Sequence, residues 1–292
     1  MEKLKNLRKL YNYKQKDLAV MLGVKPKDIS DWELNKSQPE LKMLRDIAVI
    51  FGTSVYDLLN NDVVTITSWK PWNTDERIDS FWGHIGILLY NSYVIKWYPI
   101  TSATANKVEC DLHDDQPDTQ TKILAVETLN NRVLFINKSI IKKISLLGDS
   151  SDMPKDWELP WDGYQGLGAE EYYNLIKEYF FNYEHFCENT SEQLQIIIDE
   201  LIKKNRITDD NVLELINDVY IYFHDNTTET ISIGDASALL NSIMDIEFEM
   251  SRFIHFEDLN GEIHFIPIES IGLIDMPLYL YKTGSHELSD NE

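Results

Sequence analysis

Two short stretches of this chain hold side chains whose types and spacing could do chemistry. The first is His255, Glu257, Glu262 and His264, set around Asn260-Gly261. A two-residue type I′ turn there would put both imidazoles and both carboxylates on one strand face, a donor set suited to a divalent metal. A solvated face carrying a Glu-His pair accounts for the same residues, so no metal ligand is assigned. The second is Cys110-Asp111-Leu112-His113-Asp114-Asp115, whose single Cys-x-x-His lacks a partner pair. Cys187 is the only other cysteine, which leaves no metal-type pair and no disulfide framework. The chain has no Gly-rich phosphate loop, nucleophile elbow or carboxylate-carboxylate-Lys nuclease pattern. An enzyme is not indicated, and no cofactor is expected.

The elements that would carry a function are clearest at the N-terminus. Apolar residues recur at helical spacing through Leu4, Leu7, Leu10 and Tyr11, then Leu18, Met21 and Leu22, then Ile29 and Trp32, then Leu41, Leu44, Ile47, Ala48 and Phe51, then Val55, Leu58 and Leu59. Five short helices fit. Gly23 can adopt the positive φ that ends a helix, Pro26 suits a first turn, and Pro39 and Gly52 mark the breaks on either side of the fourth helix. The second and third helices, Gln15 to Leu22 and Pro26 to Glu33, are joined by only Gly23, Val24 and Lys25, which is a helix-turn-helix pattern.

Lys14-Gln15-Lys16-Asp17-Leu18-Ala19, Leu22-Gly23-Val24, Ile29-Ser30-Asp31-Trp32-Glu33, Pro39, Leu41-Leu44-Ile47-Ala48 and Phe51-Gly52-Thr53-Ser54-Val55 together resemble the Cro/CI-type (XRE) helix-turn-helix domain over about residues 3–60. The resemblance implies a five-helix DNA-binding domain, usually dimeric, with its third helix in the major groove. By the same likeness Gln15 would hold a phosphate with help from its helix N-terminus. Lys25 joins the DNA-contacting set, and Pro26, Lys27, Ser30 and Asp31 fall where the family reads base edges. Lys27 could donate to guanine O6 and N7, and Asp31 accept from cytosine N4. Asn35 and Lys36 match the phosphate-contacting turn. Two departures stand out: Asn35 replaces the usual Gly, and the recognition helix is acidic, with Asp28, Asp31 and Glu33. Trp32 and Glu33 read as structural, and Asp28 as favouring the helix N-terminus. A domain turned to protein contact is the competing reading of that acidity.

Net charge is -22, which taken whole argues against nucleic acid. The average conceals a division. Residues 1–62 carry eleven Lys+Arg against nine Asp+Glu, net +2; residues 63–292 carry 16 against 40, net -24. With 43% hydrophobic and 11% aromatic residues the chain can bury a core. It has neither a run of about 18 apolar residues nor an export signal, so a cytoplasmic protein without a membrane segment is expected.

From Thr65 the pattern becomes strand-like and repeats itself. Val126 to Ile136 aligns with Phe256 to Ile266, and Ile141 and Ile144 match Ile271 and Ile274. Asn130-Asn131 and Asn260-Gly261 suggest two-residue turns. Upstream, hairpins around Asn91-Ser92 and Asp225-Asn226 each precede a small-residue step and an acidic stretch, Glu109 to Leu112 or Asp245 to Phe248, that reads as a strand. Two related β-units result, about 82–148 and 218–282, and each resembles a small Sm-like or SH3-like barrel. Two unrelated hairpins of apolar β-formers would look similar.

Between the units, Gly148 to Gly168 reads as an ordered loop, followed by helices at Ala169–Cys187, Ser191–Asn205 and Asp209–Asn217, with a Thr190/Gln193 capping box. The stripe Tyr172, Tyr173, Tyr179, Phe180, Phe181, Tyr183 and Phe186 reads as core in preference to a partner surface. Gly148 to Pro154 has the flavour of the self-cleaving module often joined to Cro/CI-type domains, but no lysine follows at the required spacing.

The expected architecture is α+β: a helix-turn-helix domain at 1–62, β-units at 63–150 and 218–284, a loop and helices at 151–217, and a frayed acidic tail at 285–292. The expected partners are double-stranded DNA and a second copy, with a protein or small ligand at the acidic C-terminal region.

Overall fold

A computed structural model describes residues 1–59, 81–113, 122–148 and 170–289. All but Gly148 of the Gly148–Pro154 motif and of the loop expected up to Gly168 lies outside them. The described residues group into two units, one from the N-terminal helices together with residues 170–208, the other from residues 81–113, 122–148 and 209–289.

The first unit opens with α1 (Glu2–Leu10), α2 (Gln15–Met21), α3 (Pro26–Glu33), α4 (Leu41–Phe51) and α5 (Val55–Leu59). Leu4, Leu7, Leu18, Ile29, Trp32, Ile47 and Phe51 meet in one core, so the helical apolar spacing converges as expected. The helical segment between the β-sets belongs to this unit: α7 (Glu170–Phe181), α8 (Tyr183–Asn189) and α9 (Glu192–Lys204). Arg45 of α4 binds Glu171 at 2.8 Å and Glu178 at 2.6 Å, and Asp46 accepts from the Ser191 hydroxyl at 2.9 Å. The expected single helix 169–187 breaks at Asn182, whose side chain accepts from the His185 N–H and so starts a new helix. The α9 cap is Ser191, which accepts from the Leu194 N–H; Thr190 instead donates to the Phe186 carbonyl. The aromatic stripe divides: Tyr172, Tyr173 and Phe186 are buried, while Phe181 and Tyr183 are exposed.

The second unit contains β1 (Phe81–Leu89), β2 (Lys96–Thr101), α6 (Ser102–His113), β3 (Ile123–Glu127), β4 (Arg132–Asn137) and β5 (Ile141–Gly148). After a short α10 (Val212–Ile216) come β6 (Asp218–Phe223), β7 (Thr228–Ser232), α11 (Ser237–Glu247), β8 (Phe253–Glu257), β9 (Ile263–Pro267), β10 (Ile271–Pro277) and α12 (Leu278–Ser289). The order strand, strand, helix, strand, strand, strand thus occurs twice. The strands pair as β2-β1-β5, β3-β4-β10-β6-β7 and β8-β9, so β4 and β10 join the two sets in one sheet and the pairings trace no closed barrel among the described residues.

Further departures from the sequence pattern lie in the second unit. Glu109–Leu112 and Asp245–Phe248 are not strands: the first lies within α6, and the second spans the end of α11 and its cap. The small-residue steps begin these helices, Thr101 accepting from the Thr104 N–H and Asp235 from the Ser237 N–H. Ala105 and Val108, and Leu239, Ile243 and Ile246, then line buried helical faces, and the acidic alternation is the solvated side. The turns hold three residues instead of two. Thr128 pairs with Arg132 and Asp258 with Glu262, with the third loop residue left-handed, Asn131 at φ 62° and Gly261 at φ 83°. Finally, residues 285–289 continue α12 instead of starting a frayed tail.

Candidate nucleic-acid interface

The turn between α2 and α3 is built on Gly23, whose φ of 65° lets the Val24 N–H return to the Ala19 carbonyl at 2.9 Å. α3 then begins with Pro26 at its first turn, and Asp28 accepts from the Lys25 N–H at 2.9 Å, satisfying a donor that a helix start leaves orphaned. Ile29 and Trp32 are buried against α1 and α2. Each such burial stabilises by about 1.5–3 kcal/mol, so the apolar side of α3 decides which side stays in solvent. Lys25, Pro26 and Lys27 are exposed, and Ser30 and Asp31 are half-buried.

After α3, Asn35 takes φ 55°, the Lys36 N–H reaches the Asp31 carbonyl at 2.8 Å, and the Asn35 side chain accepts from the Met1 amino group. Asn in place of Gly is accommodated because it tolerates the left-handed region. Lys36 is exposed.

Glu33 explains much of the acidity. Arg8 donates to it through Nε at 2.5 Å and Nη2 at 3.2 Å, and Gln15 Nε2 donates at 2.8 Å. Burial pushes the Glu33 carboxyl up, but the Arg8 and Gln15 hydrogen bonds outweigh it and hold the group below the usual carboxylate range. Gln15 is thereby oriented at the first turn of α2. Asp28 and Glu33 are both occupied in holding the motif, which leaves Asp31 as the acidic side chain of α3 with no intramolecular hydrogen bond among the described residues. The spacing of the sequence marks the helices, but it could not show that Gln15, a phosphate candidate, shares a carboxylate with Arg8, because the three positions lie 7 to 25 residues apart.

The second unit holds two further polar groupings. The three-residue turn moves the β8·β9 register by one, so Phe256 faces His264 and Glu257 faces Ile263. The four-residue donor set expected from a tight turn therefore does not form, and Asp258, Glu262 and His264 lie together in its place. The other is a cavity of about 230 Å³ lined by Asn131, Arg132, Glu214, Tyr220, Tyr222 and Asp275. Arg132 there donates to Asp275 Oδ1 at 2.6 Å and to the Glu214 and Asp218 carbonyls at 2.8 and 2.9 Å, while Tyr98 donates to Asp275 Oδ2 at 2.9 Å.

The five-helix fold, with α2 and α3 joined through the left-handed Gly23, defines a helix-turn-helix DNA-binding protein. A family model described as helix-turn-helix matches residues 4–58. An uncharacterized HTH-type transcriptional regulator of Methanocaldococcus jannaschii is 43% identical over 56 residues, 19% of this chain and 85% of that protein. The chain belongs to this XRE family of helix-turn-helix proteins. No solved structure matches it. Among the described residues no helix is long and apolar enough to cross a membrane.

Proposed function

We propose that the chain is a sequence-specific transcriptional repressor that binds double-stranded DNA as a homodimer, with its acidic region serving dimerisation or the sensing of a protein or small ligand. The observation that carries this reading is the division of labour on α3: Ile29, Trp32, Asp28 and Glu33 hold the helix, while Lys27, Ser30 and Asp31 are left for base edges. Pro26 lies beside Lys27 on the base-edge side, and Gln15, Lys25, Asn35 and Lys36 would set register through backbone contacts. A dimer would read half-sites about 34–36 Å apart or multiples of that. The two strand-strand-helix-strand-strand-strand sets are, in this reading, copies of one ancestral unit. Leu129 N–H bonds the Pro99 carbonyl at 2.8 Å just as Leu259 N–H bonds the Ser232 carbonyl at 2.9 Å, at corresponding places in both. The net charge of -24 beyond residue 62 keeps that part off DNA and lowers non-specific affinity.

The test is an electrophoretic shift with the intact chain and its own promoter at moderate salt. The intact chain is the proper reagent, because truncation after residue 65 would strip Arg45 of Glu171 and Glu178. A shift competed away by the promoter but not by random duplex supports the proposal; equal competition by both overturns it.

A second reading, an antitoxin-type or defence-associated interaction protein, draws on the acidic field of the C-terminal region. It predicts a stoichiometric basic partner on purification from the native host.

A further inference from the structure

The two β-sets differ at one seam. In the first set β4 pairs antiparallel with β10, aligning Phe135 with Ile274 and Val133 with Met276. The counterparts of these strands are β9 and β5, since Val133 and Phe135 align with Ile263 and Phe265, and Ile274 and Met276 with Ile144 and Leu146. Among the described residues β9 and β5 are edge strands of separate sheets and do not pair with each other.

Burial follows the pairing. Val133, Phe135 and Ile123 are 0%, 6% and 7% exposed; their counterparts Ile263, Phe265 and Phe253 are 60%, 66% and 46% exposed. Ile274 and Met276 are buried, whereas Ile144 and Leu146 are half-buried. The backbone phase agrees as well. The Asp258 N–H bonds the Glu262 carbonyl and the Ile268 N–H the Arg252 carbonyl, so alternation turns the N–H and C=O groups of Ile263 and Phe265 outward, away from β8. Those of Val133 and Phe135 turn to β10 by the same rule. The other edge of the hairpin is closed: Ser242 of α11 accepts from the His255 N–H at 3.1 Å and donates to the His255 carbonyl at 3.3 Å. β9 is thus left as an exposed apolar edge, which native proteins usually cover.

We infer that a second copy of the chain covers it: β5 of each copy pairs antiparallel with β9 of the other, Ile144 opposite Phe265 and Leu146 opposite Ile263, repeating between chains the seam that β4 and β10 make within one. Charge supports this occupant. Residues 138–148 carry Lys138, Lys142 and Lys143 and no carboxylate, while 257–269 carry Glu257, Asp258, Glu262 and Glu269 and no Lys or Arg. A foreign partner would have to match two edges of opposite charge; a copy related by a two-fold axis fills both and leaves neither open. The inference rests on the homodimer and repeat readings above and names the surface that makes the dimer.

The experiment uses the full chain with Cys110→Ser and Cys187→Ser, adding Ile144→Cys and Phe265→Cys. Paired residues of an antiparallel ladder lie about 5.5 Å apart, within disulfide reach. Mild oxidation should give a covalent dimer on a non-reducing gel. In parallel, Ile263→Lys with Phe265→Lys, at side chains already in solvent, should convert the protein to a folded monomer by light scattering and circular dichroism. A wild-type dimer that neither links nor responds to the lysines overturns the seam and leaves the homodimer reading standing. A monomeric wild type overturns both, whereas a link formed within one chain overturns the seam alone.

Discussion

Arg8 of α1 and Glu33 at the end of α3 form an ion pair of 2.5 Å in which both side chains are nearly shut off from solvent, 12% and 3% exposed. The pair ties α1 to α3, and Gln15 shares its carboxylate. Removing one partner leaves a charge with little solvent. Glu33→Ala should destabilise the first unit by about 3 kcal/mol, measured by urea denaturation, while the volume-matched double change Arg8→Met with Glu33→Leu should cost far less. Equal losses for both would show that the pair does not act as a pair.

Glu171 makes stability depend on pH. Burial above all, with repulsion from Glu178, pushes its carboxyl up to about 7, against the pull of Arg45 and the Asn174 hydrogen bond; the ordinary value is 4.5. The folded form therefore holds the proton more tightly than the unfolded one. Its contribution is complete below about pH 4.5 and is lost as pH rises through about 7. Glu171→Gln should flatten the stability profile of the first unit across that window. An unchanged slope would contradict the assignment.

His84 on β1 works in the opposite direction. Burial lowers its imidazole to about 4 from 6.5. Stability from keeping it neutral is present above about pH 6.5 and drains away as pH falls through about 4. The imidazole proton resonances should titrate with a midpoint near 4; a midpoint near 6.5 would place the ring in solvent.

Much of this was legible beforehand, and the failures share a cause. Leu18, Ile29 and Trp32 announce the helix-turn-helix because their period reports a face that is actually buried. Glu109 and Asp245 misled because alternating acids describe a helix's wet side as readily as a strand, and the deciding residues, Val108 and Ile243, carry no mark of burial in sequence. Asn260-Gly261 marks the place of the turn, yet its third residue shifts the register, so the four His and Glu side chains do not share one face. Partners remote in sequence stayed out of view: Arg45 with Glu178 and Arg132 with Asp275 need the fold to meet.

Arg132 and Asp275 anchor the joint between β4 and β10, with Arg132 opposite Pro277, two positions from its carboxylate. Asp275→Ala leaves a guanidinium buried without its counter-ion and should cost the second unit about 3–5 kcal/mol by urea denaturation. A loss below about 1 kcal/mol would show that the carbonyls of Glu214 and Asp218 suffice.

The proposed roles of the α3 side chains can be separated on DNA. Lys27→Ala and Asp31→Ala should each relax preference at particular base pairs, at about 1–3 kcal/mol apiece. Lys36→Ala should weaken all sequences alike and lower the salt dependence by about one phosphate contact. Uniform weakening by all three would mean that α3 does not contact bases.

Selection of binding sites from a random duplex library by the intact chain reads sequence preference and two-fold symmetry in one measurement. A two-fold symmetric sequence should be enriched, its half-sites spaced by a whole number of helical turns, and the enrichment should be lost on substitution of Lys27 and Asp31. A library that emerges with no enriched sequence, from protein shown to be folded, would contradict sequence-specific binding.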